Sequence, residues 1–316
     1  MKTADFVELK KSLFNLEGFK SNSYFMVEEE RIDAYPFSQG SIKAEVIEAR
    51  GKNVSNIIAP NFSKVYFIDG VQRTVLLGEV DGFPIFLHFS GAALIGRNGK
   101  LLSPFGEPPT NICLITHPSV KISSKIGVEF VEKGFENMTD MSPFTQHSSL
   151  LRKRLEQDLF KKAVKFVGDG EVLVYDGPLF YTGDLQSLNV VGVIKRHSVL
   201  YLPAIKAVLS LEVGDRSPAF VITRGQEGVS IKVVSFYLRL FKRKNPYYGV
   251  VRVELPFSLV DKIDVFASFI FSERFPVSFN VHQSDKKLYP IAVCEKYLSS
   301  RMPSIELLSA FLSDVM

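Results

Sequence analysis

The sequence predicts an α/β fold, a mixed β-sheet flanked by helices, in one domain spanning residues 1–316. Three observations predict it. Apolar, β-prone runs at 64–69, 72–80 and 83–90 follow one another through connections so short that they imply antiparallel neighbours, a meander. The segment SSLLRKRLEQDLFKKAVKFV, residues 148–167, places Leu151, Leu155, Leu159 and Ala163 at helical spacing and stops at Gly168. Then EVLVYDGPLF, residues 171–180, carries the continuous apolar run that a central strand buried on both faces requires.

In chain order, residues 4–16 read as an amphipathic helix with Phe6, Leu9, Leu13 and Phe14 on one side. Asp69-Gly70 and Asp81-Gly82 both carry the dipeptide that most strongly signals a hairpin. Asp69 therefore reads either as a turn residue or as a carboxylate held at a strand end. Residues 91–147, rich in Gly, Pro, Ser and Asn, read as a long insertion between the third strand and the first core helix, with strand-like pieces at 111–116 and 127–131. Ser148 or Ser149 can cap the following helix. NVVGVIK (189–195) repeats the character of the buried strand, and strands at 217–224, 229–241 and 248–255 precede helices at 261–272, 288–299 and 304–315. No internal repeat occurs.

Composition narrows the function classes. The chain is 46% hydrophobic and 23% charged, a soluble globular balance. Its formal charge of +4 does not by itself point to nucleic acid; a local basic patch must do that. Cys113 and Cys294 are too few for a disulfide framework and lack metal spacing, which makes a reducing cytoplasm the expected location. The N-terminal stretch lacks the apolar core of a signal peptide, and no apolar window is long enough to span a membrane.

Three acidic residues occupy distinctive places: Asp69 after the first strand, Glu156 on the long helix, Asp176 after the buried strand. On the helix, Glu156 shares a face with Arg152, Phe160 and Ala163 at the edge of the leucine stripe, while Asp158 faces Arg154, Lys161, Lys162 and Lys165 and is solvated. Asp176 stands at the carboxyl end of a central strand, where open α/β sheets bind ligands, or else only turns the chain with Gly177 and Pro178. Taken together, two strand-end carboxylates and one on the intervening helix make the acidic triad of an RNase H-like sheet. Two divalent ions roughly 3.5–4 Å apart would activate a water and take up charge on the leaving oxygen of a phosphodiester. Hard ions such as Mn²⁺ or Mg²⁺ prefer such oxygen ligands. Gathered carboxylates repel unless a cation fills the cluster.

The segments YFIDGVQRT (66–74), LRKRLEQDLFKKA (151–163), VLVYDGPLF (172–180), VVGVIKRHS (190–198) and YYGVVRVELP (247–256) occur in the order seen in the NurA nuclease family, which the chain resembles from about residue 60 to its end. The resemblance implies an RNase H-like core and Mn²⁺-dependent (or Mg²⁺-dependent) cleavage of single- and double-stranded DNA, using two ions. It implies 5′–3′ exonuclease and single-strand endonuclease activity in double-strand-break end resection, a homodimer, and a HerA-type hexameric translocase as partner. Asp69, Glu156 and Asp176 would be the metal-binding catalytic carboxylates, with Lys195 facing phosphate. The family's histidine on a C-terminal helix after Tyr-Pro has no counterpart: after Tyr289-Pro290 its position falls near Tyr297, beside Lys296, and His282 precedes the Tyr-Pro. Either His282 reaches the metal from another element, or the site holds carboxylates alone, or activity is weakened and the chain is a DNA-binding scaffold subunit.

Candidate DNA contacts are Arg73, Arg196, Arg239, Lys242, Arg243, Lys244 and Tyr247, the last six in the basic, aromatic stretches KRH and RLFKRKNPYYG. Cations track phosphates and rings stack on bases. A solvated turn explains the same residues. No Walker A loop, GxSxG elbow or HExxH helix is present. Asp69, Gly70 and Thr74 faintly match the first phosphate loop of actin-like ATPases, without a second glycine-rich loop.

Overall fold

The computed structural model of the chain describes residues 3–21, 43–132, 142–180, 185, 188–195, 201, 205–226, 229–242, 248–274 and 288–304. Helix α1 (Thr3–Phe14) and the short strands β1 (Phe19–Ser21), β2 (Lys43–Val46) and β3 (Lys52–Asn53) lead into two long strands, β4 (Lys64–Val80) and β5 (Phe83–Asn98). Then come β6 (Leu101–Pro104), β7 (Thr110–Thr116) and β8 (Gly127–Phe130), helix α2 (Ser142–Val164), β9 (Glu171–Tyr175), β10 (Val190–Ile194) and the short α3 (Ile205–Leu209). The chain continues through β11 (Asp215–Arg216), β12 (Phe220–Gln226), β13 (Val229–Arg239) and β14 (Val250–Pro256) to α4 (Ile263–Ser272) and α5 (Tyr289–Arg301).

All the strands join one mixed sheet whose path is β2-β12-β13-β14-β10-β9-β4-β5-β7-β8. At its centre β4, β9 and β10 run parallel. On one side β5 is antiparallel to β4 and β7 to β5; on the other β14 is antiparallel to β10. The central strands are covered on both faces, which is why they read as continuous apolar runs. Val65, Phe67, Val174 and Val193 pack with Phe266 and Ile270 of α4 and Ile291 of α5. The alternate residues Tyr66, Ile68, Leu173 and Tyr175 pack against Phe160 and Ala163 of α2. These two faces follow from the two-residue period of a strand.

Two expectations change. The predicted first and second strands are a single strand, β4, and Asp69-Gly70 lies inside it, in register with Ala93 and Ala92 of β5. Asp69 neither ends a strand nor makes a turn. The turn belongs to Asp81-Gly82, where both residues take positive φ (49° and 82°), as a tight hairpin requires. Secondly, residues expected to form an insertion are part of the sheet: 91–98 complete β5, and 110–116 lie beside it as β7. The strand-like pieces at 111–116 and 127–131 were legible. So were β12, β13, β14, α4 and α5, while the predicted helix 304–315 lies beyond the described residues after Ser304.

Helix α2 starts six residues before the predicted cap, at Ser142-Pro143, because Pro is tolerated in a first turn. Ser148 and Ser149 are therefore not caps. They sit inside the helix and bond to β4, through Thr74 Oγ1 to Ser148 Oγ (3.3 Å) and Gln72 Nε2 to Ser149 Oγ (3.4 Å). The same layer buries His88, whose Nδ1 is 2.9 Å from Thr74 Oγ1.

Burial, with His147 and Arg152 nearby, pushes the His88 pKa down to about 3. An unfolded histidine takes up its proton near pH 6.5. Between these values the unfolded chain binds a proton that the native chain refuses. The contribution of His88 is thus intact above pH 6.5 and is lost as pH falls, by up to about 1.4 kcal/mol per pH unit. Urea unfolding at pH 7, 5.5 and 4.5 should show this slope in the wild type and a shallower one in His88→Leu. Equal slopes would remove His88 as its source.

Candidate functional site

The parallel pairing of β4 with β9 builds the site. Ile68 pairs with Tyr175, and the Asp176 amide donates to the Ile68 carbonyl at 3.1 Å, so Asp69 and Asp176 occupy neighbouring positions on adjacent strands. Both follow valine or phenylalanine positions of the α4/α5 face by two residues. Lys195 follows Val193 on the next strand in the same way, and its Nζ lies 2.5 Å from Asp176 Oδ2. Asp69 is fully buried, and its Oδ1 accepts the Gly70 amide at 2.8 Å. Burial pulls the Lys195 pKa down, but Asp176, Asp69 and Glu295 together outweigh it, and the ammonium is held above its ordinary range.

Asp176 is positioned from behind. Leu179, three residues on, donates its amide to Glu254 Oε2 (3.0 Å) and offers its carbonyl to Arg224 Nη1 (3.1 Å). Arg224 and Arg252 both pair with the fully buried Glu254. Gly192 of β10 permits this fold-back, because a Cβ there would come within 2.7 Å of the Gly177 carbonyl oxygen. The sequence alone assigns no role to Arg252, Arg224 or Glu254.

Glu156 lies on the other face. Side chains alternate along β4, and the direction that a Cβ of Gly70 would take leads straight to Glu156, within 2.7 Å of Cγ and 2.8 Å of Cδ. Arg152 pairs with Glu156 Oε1, Tyr175 Oη donates to its Oε2 (3.2 Å), and Arg152 Nε bonds to Gln72 (3.1 Å). Glu156 is not at the edge of the buried stripe but at its centre; Leu155 and Leu159 form the half-buried rim. Burial pushes its pKa up, Arg152 pulls it back, and Asp176 adds to the rise; the net direction is upward. Asp158 is exposed near Lys161, as expected.

Among the described residues, no three His, Cys, Asp or Glu side chains converge to hold a metal ion in this arrangement. Two features nevertheless fit a hard cation. The donors beside one another, Asp69 and Asp176, are carboxylates, and a cation, the Lys195 ammonium, already stands among them. Helix α5 also carries Glu295, which adjoins the buried Cys294 and to which the sequence assigns no role. Lys296 is exposed, and Tyr297 lies under the Arg301 guanidinium at 5.2 Å. His282 lies outside the described residues.

The expected DNA contacts separate. Arg239 is buried, and its guanidinium donates to the Tyr248 and Leu209 carbonyls at 2.9 Å, which ties the end of β13 to α3 and to the turn before β14. Arg73 donates to the carbonyls of Met302 and Pro303, closing the end of α5 onto β4. Lys242 is exposed and pairs with Glu212. Arg196, Arg243, Lys244 and Tyr247 lie outside the described residues. Thr74, the residue of the ATPase comparison, is buried against His88 and Ser148.

The sheet defines a mixed α/β protein in which Asp69, inside β4, lies beside Asp176, just past the end of β9. Among solved structures, the chain is similar to the NurA nuclease from Sulfolobus solfataricus at 13% identity, over 84% of this chain and 86% of that one, with a TM-score of 0.52. At this identity the likeness is one of fold: the chain has a NurA-like fold. A structure of NurA bound to dAMP and manganese overlaps 41% of this chain and 22% of its own at 15% identity and a TM-score of 0.22, too little to argue from. No family model matches the chain, and no curated protein matches it.

Gly70 offers a direct test of the packing. Gly70→Ala must push Glu156 away from Arg152 or Tyr175, and overpacking of this kind costs about 1–3 kcal/mol. Chemical denaturation measures it. A variant as stable as the wild type would show that α2 does not approach β4 so closely.

Proposed function

We propose that the chain is a metal-dependent deoxyribonuclease, a phosphodiester hydrolase with an RNase H-like core. The observation that carries this reading is the side-by-side placement of Asp69 and Asp176 on adjacent parallel strands, with Lys195 bonded to Asp176 on the same face. The strand order β7-β5-β4-β9-β10, antiparallel for three strands and parallel for the last two, supports the RNase H-like assignment. The NurA-like fold supports the nuclease class.

In this reading Asp69 and Asp176 hold Mn²⁺ or Mg²⁺, which when bound supplies an activated water and neutralises charge on phosphate. Lys195 neutralises a non-bridging phosphate oxygen. Glu156 fixes Tyr175 and the strand end from the opposite face. The proposal extends to what the sequence resemblance implies: a cytoplasmic homodimer, two ions, 5′–3′ exonuclease and single-strand endonuclease activity, and work beside a HerA-like translocase in end resection. No helix among the described residues is long and apolar enough to cross a membrane.

One observation favours a second reading. Lys195 already claims Asp176, and Glu156 is committed to Arg152 and Tyr175. A chain that kept this arrangement would bind DNA and a translocase as a scaffold without cutting. Cleavage of end-labelled single- and double-stranded DNA with Mn²⁺, Mg²⁺ or EDTA separates the two. The nuclease reading expects ion-dependent cutting that falls by at least about a hundredfold, roughly 3 kcal/mol of barrier, in Asp69→Ala and Asp176→Ala. Wild type that never cuts, alone or with its translocase, supports the scaffold.

A further inference from the structure

Helix α5 crosses the strand that carries Asp69. Leu298 packs with Val71 and Ala93, and Cys294 Sγ lies 3.5 Å from the Phe67 carbonyl. Ile291, Cys294 and Leu298 are fully buried along this contact. Glu295 follows Cys294 and is turned about 100° around the helix from it. It therefore sits at the margin of the contact, half-exposed as a residue, with its Oε1 buried.

We propose that Glu295 is the third carboxylate of the cation site, delivered by α5 to the face that bears Asp69 and Asp176. The inference rests on the metal-dependent reading above. Its first support is the face: β4 presents Asp69 and Val71 to α5, and Gly70 to α2. Glu295 rides on α5, and Glu156 on α2. Its second is the packing of α5. Cys294, the residue before Glu295, sets its Sγ 3.5 Å from the carbonyl of Phe67, two residues before Asp69 on β4, and Lys195, nearly buried, pairs with Asp176 next to it. Its third is balance. Three carboxylates and one ammonium carry a formal charge of −2, which leaves a charge deficit that divalent cations answer. Hard ions take such oxygen ligands from separate rigid elements.

Glu156 suits the role less well. Its two oxygens are bound by Arg152 and Tyr175. Giving them to an ion would strip Arg152, itself only 8% exposed, of its counter-charge.

The test is isothermal titration of the full chain with Mn²⁺ alone, in wild type, Asp176→Asn, Glu295→Gln and Glu156→Gln. The proposal expects binding by wild type, loss in Asp176→Asn, and at least about tenfold weaker binding in Glu295→Gln, whose melting temperature without ion matches wild type. If Glu295→Gln melts low, Glu295→Asp, one methylene shorter, carries the same test. Wild-type affinity in a folded Glu295 variant overturns the inference and leaves the metal reading standing. So does loss in Glu156→Gln with none in Glu295→Gln, which makes Glu156 the third ligand. Absence of Mn²⁺ binding by wild type overturns both.

Discussion

Two carboxylates can be kept side by side within a packed sheet only if a positive charge answers them, because burial and mutual repulsion both oppose ionisation. Lys195 is that charge in this chain. It stands on the third of three parallel strands, bonded to Asp176 and within the field of Asp69. Much of the architecture serves to hold these three side chains at one end of the sheet. The β4–β9 register sets Asp69 beside Asp176. The buried Glu254 with its arginines grips Leu179, and so fixes the path of the chain just past Asp176.

The opposite face carries a complementary constraint. Helix α2 comes so close to β4 that residue 70 has no room for a side chain, and Glu156 fills that space. An ion pair of this kind is expensive to desolvate and gains from every hydrogen bond it can make. Arg152, Tyr175 and Gln72 make those bonds. Glu156 thereby lies on the α2 side of the strand that carries Asp69, while Glu295 rides on α5, which packs on the other face.

Part of this was legible in the sequence. The central strands announced themselves because burial on both faces leaves no room for polar alternation. Asp176 was legible because its strand ends there. Asp69-Gly70 misled because a dipeptide records permission for a turn and not the need for one: Asp81-Gly82 turns, whereas Gly70 is glycine to admit a helix. In the sequence the leucines at 151, 155 and 159 form the stronger stripe and put Glu156 at its rim, yet the ion pair with Arg152 lets a charged residue take the centre. Arg239 carried the composition of a phosphate contact, but long-range carbonyls claimed it. Glu254 has no reading in the sequence because Leu179 and Arg224, two of its partners, are distant along the chain and only the assembled sheet brings them near.

The account stands on a cation site at Asp69 and Asp176, on the α5 side of the sheet. Soaking crystals in Mn²⁺ and locating the ion by anomalous scattering tests this most directly. The account predicts a peak bound by Asp69 and Asp176 with the Lys195 ammonium displaced from Asp176. A peak on the α2 side beside Glu156 and Tyr175, or none at either carboxylate, would contradict it.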